Sequence, residues 1–207
     1  DAALVGRTQE ARTLDDLLAR TLTTGRGHLV SVLGPPGIGK TRLVSDFLDR
    51  VGQQARVLRG RCVSYGQGIT YWPLVQVVRD AAGLRGDESP EVARHALTAL
   101  LEGCFDQAEV VALLLPLLGS GGEPGEADQT AWAAARLLEQ VAVRSPVVIE
   151  VDDLHWAEPT LLDLLQRVTE ETRDLPLLLV CQARPELLDA HPTWGQGSVN
   201  AVSLGLE

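Results

Sequence analysis

Hydrophobic positions in the first sixty residues follow helical and strand periods in alternation. Leucines recur on one helical face over 8–24 and predict a helix that Thr8 caps and Gly25 follows. The apolar run 28–34 predicts a strand that breaks into Gly-Pro-Pro-Gly. A helix over about 39–51 and a strand over 55–62 come next. This order of elements predicts a parallel sheet built from βαβ units.

The middle of the chain, about 63–143, is predicted to be mostly helical. Helical periodicity recurs in four segments: 73–82, 89–102, 106–118 and 128–143. Between the last two, the glycine-rich stretch 119–126 predicts a mobile loop. The remaining residues predict a strand, a helix and two further strands: 147–151, 159–172, 177–182 and 199–204. Pro159 suits the first turn of that helix.

Composition narrows the class of protein. A chain of 207 residues favours one domain, and a formal net charge of −10 disfavours direct nucleic-acid binding through the overall field. The longest apolar run, 110–118, is far shorter than the roughly 20 residues of a membrane span. Three cysteines without a CxxC pair argue against a disulfide framework or zinc site, and for a cytoplasmic location. We expect a domain taken from a longer protein.

The turn after the first predicted strand has the pattern of a phosphate-binding loop. Residues 34-GPPGIGKT-41 match G-x-x-x-x-G-K-[ST] between a predicted strand and a predicted helix. The glycines let backbone N–H groups approach a triphosphate, Lys40 can reach the β- and γ-phosphates, and Thr41 can offer a hydroxyl to Mg²⁺. The predicted nucleotide-binding residues are Gly34, Pro35, Pro36, Gly37, Ile38, Gly39, Lys40, Thr41 and Arg42. The alternative is a simple turn with a surface lysine.

Two adjacent aspartates follow the apolar strand 147–151. Ligands of open α/β sheets bind at the carboxyl ends of the strands, where these carboxylates lie. We expect Asp152 to hold Mg²⁺ with Thr41, and Asp153 to position or deprotonate the attacking water. The alternative for Asp153 is a cap of the next turn.

Together these segments resemble the STAND-type, AAA-like P-loop ATPase domains of bacterial regulators. Such domains occur in large LuxR-type transcription activators and beside some adenylate cyclase domains. The matching pieces are 4-LVGRTQE-10, 34-GPPGIGKTRL-43, 60-GRCVSYGQGITYWPL-74, 152-DDLHWAEP-159 and 181-CQARPEL-187. The resemblance implies a three-layer α/β/α fold with a five-stranded parallel sheet in the order 5-1-4-3-2. It also implies a helical insertion, about 63–143, between strands 2 and 3.

The resemblance implies further site residues and a function. Val5, Gly6 and Arg7 would lie against the adenine, and Arg184 would be the catalytic arginine that senses the γ-phosphate. The domain would bind ATP or ADP with Mg²⁺ and act as a slowly hydrolysing switch in signalling or transcription regulation. Helical, winged-helix and effector domains after residue 207, and nucleotide-dependent self-association, would complete it. A non-hydrolysing nucleotide scaffold and an AAA-type motor or loader are the alternatives.

The roles of three residues near the aspartates stay open at this point. Similar proteins usually have an aliphatic residue where this chain has Glu150, and a carboxylate within a strand is costly unless paired or protonated. The second strand offers Arg59 or Arg61 as its partner. His155 could pack or relay the nucleotide state, and Trp156 is interpreted as a packing residue.

Overall fold

A computed structural model describes residues 6–64, 70–120, 125–196 and 200–207 of the chain. Five strands form one sheet: β1 (His28–Leu33), β2 (Arg56–Arg61), β3 (Val147–Asp152), β4 (Leu177–Ala183) and β5 (Ala201–Gly205). All neighbours pair in parallel, in the order β2-β3-β4-β1-β5. Read from the opposite edge, this is the predicted order 5-1-4-3-2, which is therefore confirmed.

Eight α-helices connect and cover the strands in the described part of the chain. They are α1 (Thr8–Thr24), α2 (Lys40–Val51), α3 (Trp72–Ala82), α4 (Pro90–Leu100), α5 (Gln107–Leu114), α6 (Ala127–Arg144), α7 (Pro159–Glu171) and α8 (Glu186–Ala190). Short 3₁₀ turns occur at Pro116–Leu118 and Leu154–Trp156. Helices α3 to α6 lie between β2 and β3 in the chain, where the helical insertion was predicted.

The three central strands are buried on both faces, which is why they read as continuous apolar runs. Helices α1 and α2 cover one face of the sheet, and Leu14, Leu43 and Phe47 fill that layer. The insertion helices and α7 cover the other face with a larger cluster that includes Leu97 and Leu137. Each fully buried side chain of this size contributes roughly 1.5–3 kcal/mol. The result is the predicted three-layer α/β/α arrangement.

Helix α3 protects the exposed edge of β2. The Arg59 backbone N–H donates to the Asp80 carboxylate at 3.3 Å, and the Arg61 backbone N–H donates to the Gln76 side chain at 2.7 Å. Gly60 makes the close approach possible, because a Cβ there would lie 2.6 Å from the Pro73 carbonyl oxygen. The edge strand thus has its outward N–H groups occupied, which limits pairing with another chain.

Most predicted boundaries agree with the structure to within two residues, and the exceptions have physical reasons. The predicted helix 106–118 ends as an α-helix at Leu114, because Pro116 has no N–H to continue the ladder. The predicted capping by Thr8 is wrong: Arg7 occupies the N-cap position and makes no capping hydrogen bond, while Thr8 already lies in the first turn. Helix α8 was not predicted, since five residues are too few to show a helical period. The start of the predicted strand at 199 and residues 121–124 of the predicted loop lie outside the described residues.

Candidate functional site

The loop between β1 and α2 forms an open cradle of backbone. Gly37 and Gly39 have φ angles of 79° and 102°, a region that side chains other than glycine rarely adopt. Gly34 is needed for a different reason: a Cβ there would lie 2.9 Å from the Ile38 side chain and 3.1 Å from Leu206. Pro35 and its two successors in the loop are exposed. The loop is therefore shaped for close approach of a ligand to its backbone N–H groups.

Lys40, the single lysine of the sequence, folds back over this loop. Its ammonium donates to the carbonyl oxygens of Gly34 at 2.7 Å and Pro35 at 3.2 Å. Burial lowers the pKa of Lys40, and the positive charge of Arg184 adds to this, while nearby carboxylates including Asp153 act in the opposite direction. The predicted catalytic groups of three separate segments are thus close enough to act on one another. Thr41 and Arg42 follow as exposed residues of the first turn of α2.

The two aspartates lie at the end of β3 in a constrained turn. Asp153 has a φ of 55°, and it is the one non-glycine residue with a positive φ in the described ranges. Its backbone N–H donates to the Asp152 carboxylate at 2.8 Å. Burial raises the pKa of Asp152, and the negative charge of Asp153 raises it further. The hydrogen bond from the Asp153 N–H and the positive charges of Arg61 and Lys40 oppose this rise. A left-handed non-glycine residue costs roughly 1–3 kcal/mol, and such strain clusters at functional sites.

Arg61 is the member of this group whose contact with the aspartates was not predicted from the sequence. Its Nη2 lies 2.8 Å from Asp153 Oδ2, and its Nε lies 3.8 Å from Asp152 Oδ2. Arg61 was one of two proposed partners for Glu150, and the structure gives that role to Arg59. Strand register is the signal that could have separated them, because Arg61 pairs with Asp152 and Arg59 pairs with Glu150 across β2 and β3.

Glu150 lies beneath the aspartates in a row of polar side chains that crosses three strands. Its carboxylate accepts from Arg59 Nε at 3.2 Å and from Gln182 Nε2 at 2.8 Å. Burial raises the pKa of Glu150, and Arg59 opposes the rise. A cavity of about 190 Å³ borders this row and the site, lined by Arg59, Gly60, Arg61, Gln76, Glu150 and Asp152. Gln182 was not singled out from the sequence, since a lone glutamine in an apolar strand carries no motif.

Arg184 and the turn after Asp153 form the far side of the site. The Arg184 guanidinium lies over the Trp156 ring, 5.8 Å from its centroid, and the His155 ring lies 5.1 Å from the same tryptophan. Both ring nitrogens of His155 are buried without a hydrogen-bond partner in the described ranges. Burial lowers the pKa of His155, and the charge of Arg184 lowers it further. Arg184 therefore lies near Lys40, and its contact with the γ-phosphate stays a prediction.

The N-terminal segment reaches the loop through the last residues of the chain. Arg7 bonds to the Glu10 carboxylate at 2.9 Å and to the Glu207 backbone oxygen at 2.7 Å. Leu206, beside Glu207, packs against Gly34. A cavity of about 470 Å³ adjoins this junction, lined by Gly6, Thr8, Gln9, Glu10, Thr13, Leu204 and Gly205. The predicted contact of Val5 with adenine falls on a residue outside the described ranges.

The donor set suits a magnesium-bound nucleotide better than a metal alone. In the described residues there is no group of three or more histidine, cysteine or acidic side chains that could hold an ion. Mg²⁺ in phosphate-transferring proteins is bound through one or two carboxylates plus phosphate oxygens and water, so Asp152 with the Thr41 hydroxyl would suffice once phosphates are present. The open backbone cradle and Lys40 supply the groups that hold such phosphates.

Comparison with known proteins identifies the family. A sequence model described as an AAA ATPase domain matches residues 3–180. The chain belongs to the AAA ATPase domain family. The match spans the phosphate loop, both aspartates and strands β1 to β3, while Arg184 lies beyond its last residue. Members of this family generally bind ATP or ADP with Mg²⁺.

Individual relatives and solved structures are similar to this AAA ATPase domain over nearly its whole length. An uncharacterized protein of Rhizobium meliloti (strain 1021) is 34% identical over 206 residues, covering 92% of this chain and 20% of that protein. The structure of Cdc6p from Pyrobaculum aerophilum superposes with a TM-score of 0.53 and 16% identity, covering 99% of this chain and 46% of that one. The structure of Drosophila ORC bound to DNA superposes with a TM-score of 0.52 and 18% identity, covering 98% of this chain and 43% of that one. The chain thus spans about a fifth of its curated relative.

Within the described residues, no helix combines the length and apolar character needed to cross a bilayer.

Proposed function

We propose that this domain binds ATP with Mg²⁺, hydrolyses it slowly, and serves as the nucleotide switch of a larger STAND-type regulator of signalling or transcription. The observation that carries the proposal is the convergence of Lys40, Asp152, Asp153 and Arg184 around an open phosphate loop. These residues come from three segments of the chain, and Lys40 lies near enough to the other three for their charges to act on its pKa. Membership of the AAA ATPase family supports the nucleotide.

Each residue of the site then has a chemical task. The Lys40 ammonium would exchange its two carbonyl acceptors for β- and γ-phosphate oxygens, and the loop N–H groups would hold the remaining phosphate oxygens. Asp152 and the Thr41 hydroxyl would hold Mg²⁺, which when bound neutralises charge on the phosphates. Asp153 would orient water in line with the γ-phosphate, and Arg184 would contact the charge that develops there.

Asp153 supports slow turnover and also favours a second candidate. Its Oδ2 accepts two hydrogen bonds from the Arg61 guanidinium, at 2.8 and 3.1 Å, so Arg61 occupies an oxygen that would otherwise be available to orient the water. If Arg61 keeps this position when nucleotide is bound, the domain is a scaffold that binds ATP or ADP without hydrolysis and is stabilised by it. The two candidates share the binding site and differ in whether Asp153 becomes free.

The partners of the domain belong to the proposal as well. Since this chain spans a fifth of its curated relative, we expect further helical, winged-helix and effector domains to read the nucleotide state. Nucleotide-dependent self-association would be a second output. The net charge of −10 supports a domain that contacts nucleic acid only through such partners.

The deciding experiment measures ATP binding and turnover of the full-length protein. Lys40→Ala should remove nucleotide binding, and Asp153→Asn should keep binding but lower turnover at least tenfold, since a positioned base typically contributes 10²–10⁴-fold. Arg94→Ala, an exposed charge removal on α4, is the matched control. Binding that survives Lys40→Ala would refute the site. If the wild type binds ATP but turns it over no faster than Asp153→Asn, the non-hydrolysing scaffold is the function. ATP turnover that DNA stimulates severalfold would favour a motor.

A further inference from the structure

Trp156 occupies a position that packing alone does not explain. It ends the 3₁₀ turn that follows Asp153, and the fully buried Leu154 anchors that turn in the core. The Trp156 side chain is 46% exposed, so much of its large apolar surface is left in water. One face of the indole instead carries the Arg184 guanidinium, at 5.8 Å from the ring centroid. That distance is within the roughly 6 Å over which a cation is attracted to an aromatic face.

Arg184 has no competing partner in the described part of the chain. Its guanidinium forms no side-chain hydrogen bond and no ion pair there, whereas Arg59 and Arg61 are both bound to carboxylates. The backbone N–H of Gly34 donates to the carbonyl oxygen of Ala183 at 3.3 Å, and this contact places the neighbouring Arg184 beside the phosphate loop. Its N–H donors, which in other arginines are consumed by carboxylates, are therefore available to a ligand.

An aromatic face is well suited to hold an arginine that must remain available. A carboxylate partner would occupy the planar fork of N–H donors and neutralise the charge. An indole contacts the flat face of the guanidinium, so the donors at its edge stay free for phosphate oxygens. Preorganising that fork also lowers the entropy lost when it binds.

From this geometry we infer that Trp156 is a positioning residue, which holds Arg184 ready for the terminal phosphate of the bound nucleotide. This inference rests on the proposed function, because it needs a nucleotide in the phosphate loop. Trp156 itself would touch neither the phosphates nor the attacking water; it acts through Arg184. The motif 152-DDLHW-156 then contributes the predicted metal ligand, the predicted water-orienting carboxylate and the support of the arginine from five consecutive residues.

The test compares variants of the full-length protein in ATP turnover. Trp156→Leu keeps apolar bulk without an aromatic face and should lower kcat about 2- to 30-fold, the range that a cation–π contact of ~0.5–2 kcal/mol implies, with a smaller change in KM. Trp156→Phe keeps an aromatic face and should retain most of the rate. In an Arg184→Ala background, Trp156→Leu should have no further effect. Equal losses in the leucine and phenylalanine variants, no loss in either, or an undiminished loss without Arg184 would each overturn the inference.

A second measurement separates this inference from the proposed function. ATP should change the tryptophan fluorescence of the wild type through Trp156, so the change should vanish in Trp156→Phe and shrink in Arg184→Ala. A wild type that binds no ATP refutes the proposed function and this role with it. Normal ATP binding and turnover, with the same fluorescence change in Trp156→Phe as in wild type, refutes the role of Trp156 alone.

Discussion

Replacing Glu150 by glutamine should leave the domain at least as stable as the wild type at pH 7. The Glu150 side chain is only 12% exposed, and Gln182, its partner on β4, is fully buried. Gln182 Nε2 donates to Glu150, while Gln182 Oε1 is buried without a hydrogen-bond partner in the described ranges. A glutamine at 150 can accept from Gln182 Nε2 and donate its own N–H to Gln182 Oε1, so two amides can satisfy each other.

The magnitude follows from the two contacts that change. The lost ion pair with Arg59 is worth no more than about 1 kcal/mol, because the Arg59 side chain is 60% exposed. Satisfying the buried Gln182 oxygen returns roughly 0.5–1.5 kcal/mol, and removing a buried charge returns more. We expect Glu150→Gln to change the free energy of unfolding by between zero and about 1 kcal/mol in the stabilising direction.

The pH dependence has a definite sign. Burial raises the folded-state pKa of Glu150 above its ordinary value of 4.5, so the group stabilises the fold fully only below that value. As the pH rises from 4.5 through the raised pKa, the wild type loses that stability, and Glu150→Gln does not. The advantage of the variant should grow over this window and then stay constant. This difference in stability is measured by urea unfolding at several pH values, with hydrogen exchange of peptides from β3 and β4 as the probe.

Two outcomes would contradict the reasoning. One is a loss of more than about 1 kcal/mol in Glu150→Gln at pH 7, and the other is a difference that does not vary with pH. Glu150→Leu provides the contrast, because it leaves the Gln182 amide buried without a partner and should cost about 1–3 kcal/mol. Adding Gln182→Leu to that variant removes both polar partners and should recover most of the loss.

Two further predictions concern β2 and its edge. Gly60→Ala should destabilise the domain by about 1–3 kcal/mol, because the new Cβ would lie 2.6 Å from a backbone oxygen of α3. Gly205→Ala is the control, because a Cβ there would have nothing within 4 Å. Equal melting temperatures of the two variants would contradict the prediction. Arg61→Ala should tighten Mg²⁺-dependent ATP binding about 2- to 5-fold, because an exposed cation worth up to about 1 kcal/mol no longer competes at Asp152 and Asp153. Isothermal titration at several Mg²⁺ concentrations measures this, and weaker binding would show that Arg61 supports the site.

The sequence predicts the sheet well because its central strands have a hydrophobic pattern that is easy to recognise. Strands β1, β3 and β4 are buried on both faces, so each is a short apolar run bounded by loop or turn residues. Local details were less accessible. The break at Pro116 could have been predicted from its missing N–H, whereas α8 is too short for its period to be visible.

For the candidate site, the motifs predict which residues meet but not how their charges pair. Lys40 and Asp152 carry recognisable spacing, and the structure brings them together near Arg184. The choice of Arg61 for Asp153 and Arg59 for Glu150 depends on the register between β2 and β3, which no local pattern encodes. The contact of Gln182 with Glu150 joins β4 to β3, so it could not be predicted from a local pattern either.

Register also accounts for the tolerance of three carboxylates at one end of the sheet. Residues two apart in a strand share a face, so Arg59 with Glu150 forms one row across β2 and β3, and Arg61 with Asp152 forms the next row toward the ligand side. Arg59 balances Glu150 in the first row. In the outer row Arg61 lies against both Asp152 and Asp153, and Lys40 adds a second positive charge beside them. A divalent cation at Asp152 would overcompensate this outer row unless it arrived with phosphates. The charge arrangement therefore favours a metal–nucleotide complex over the free metal, independently of the motif that first pointed to it.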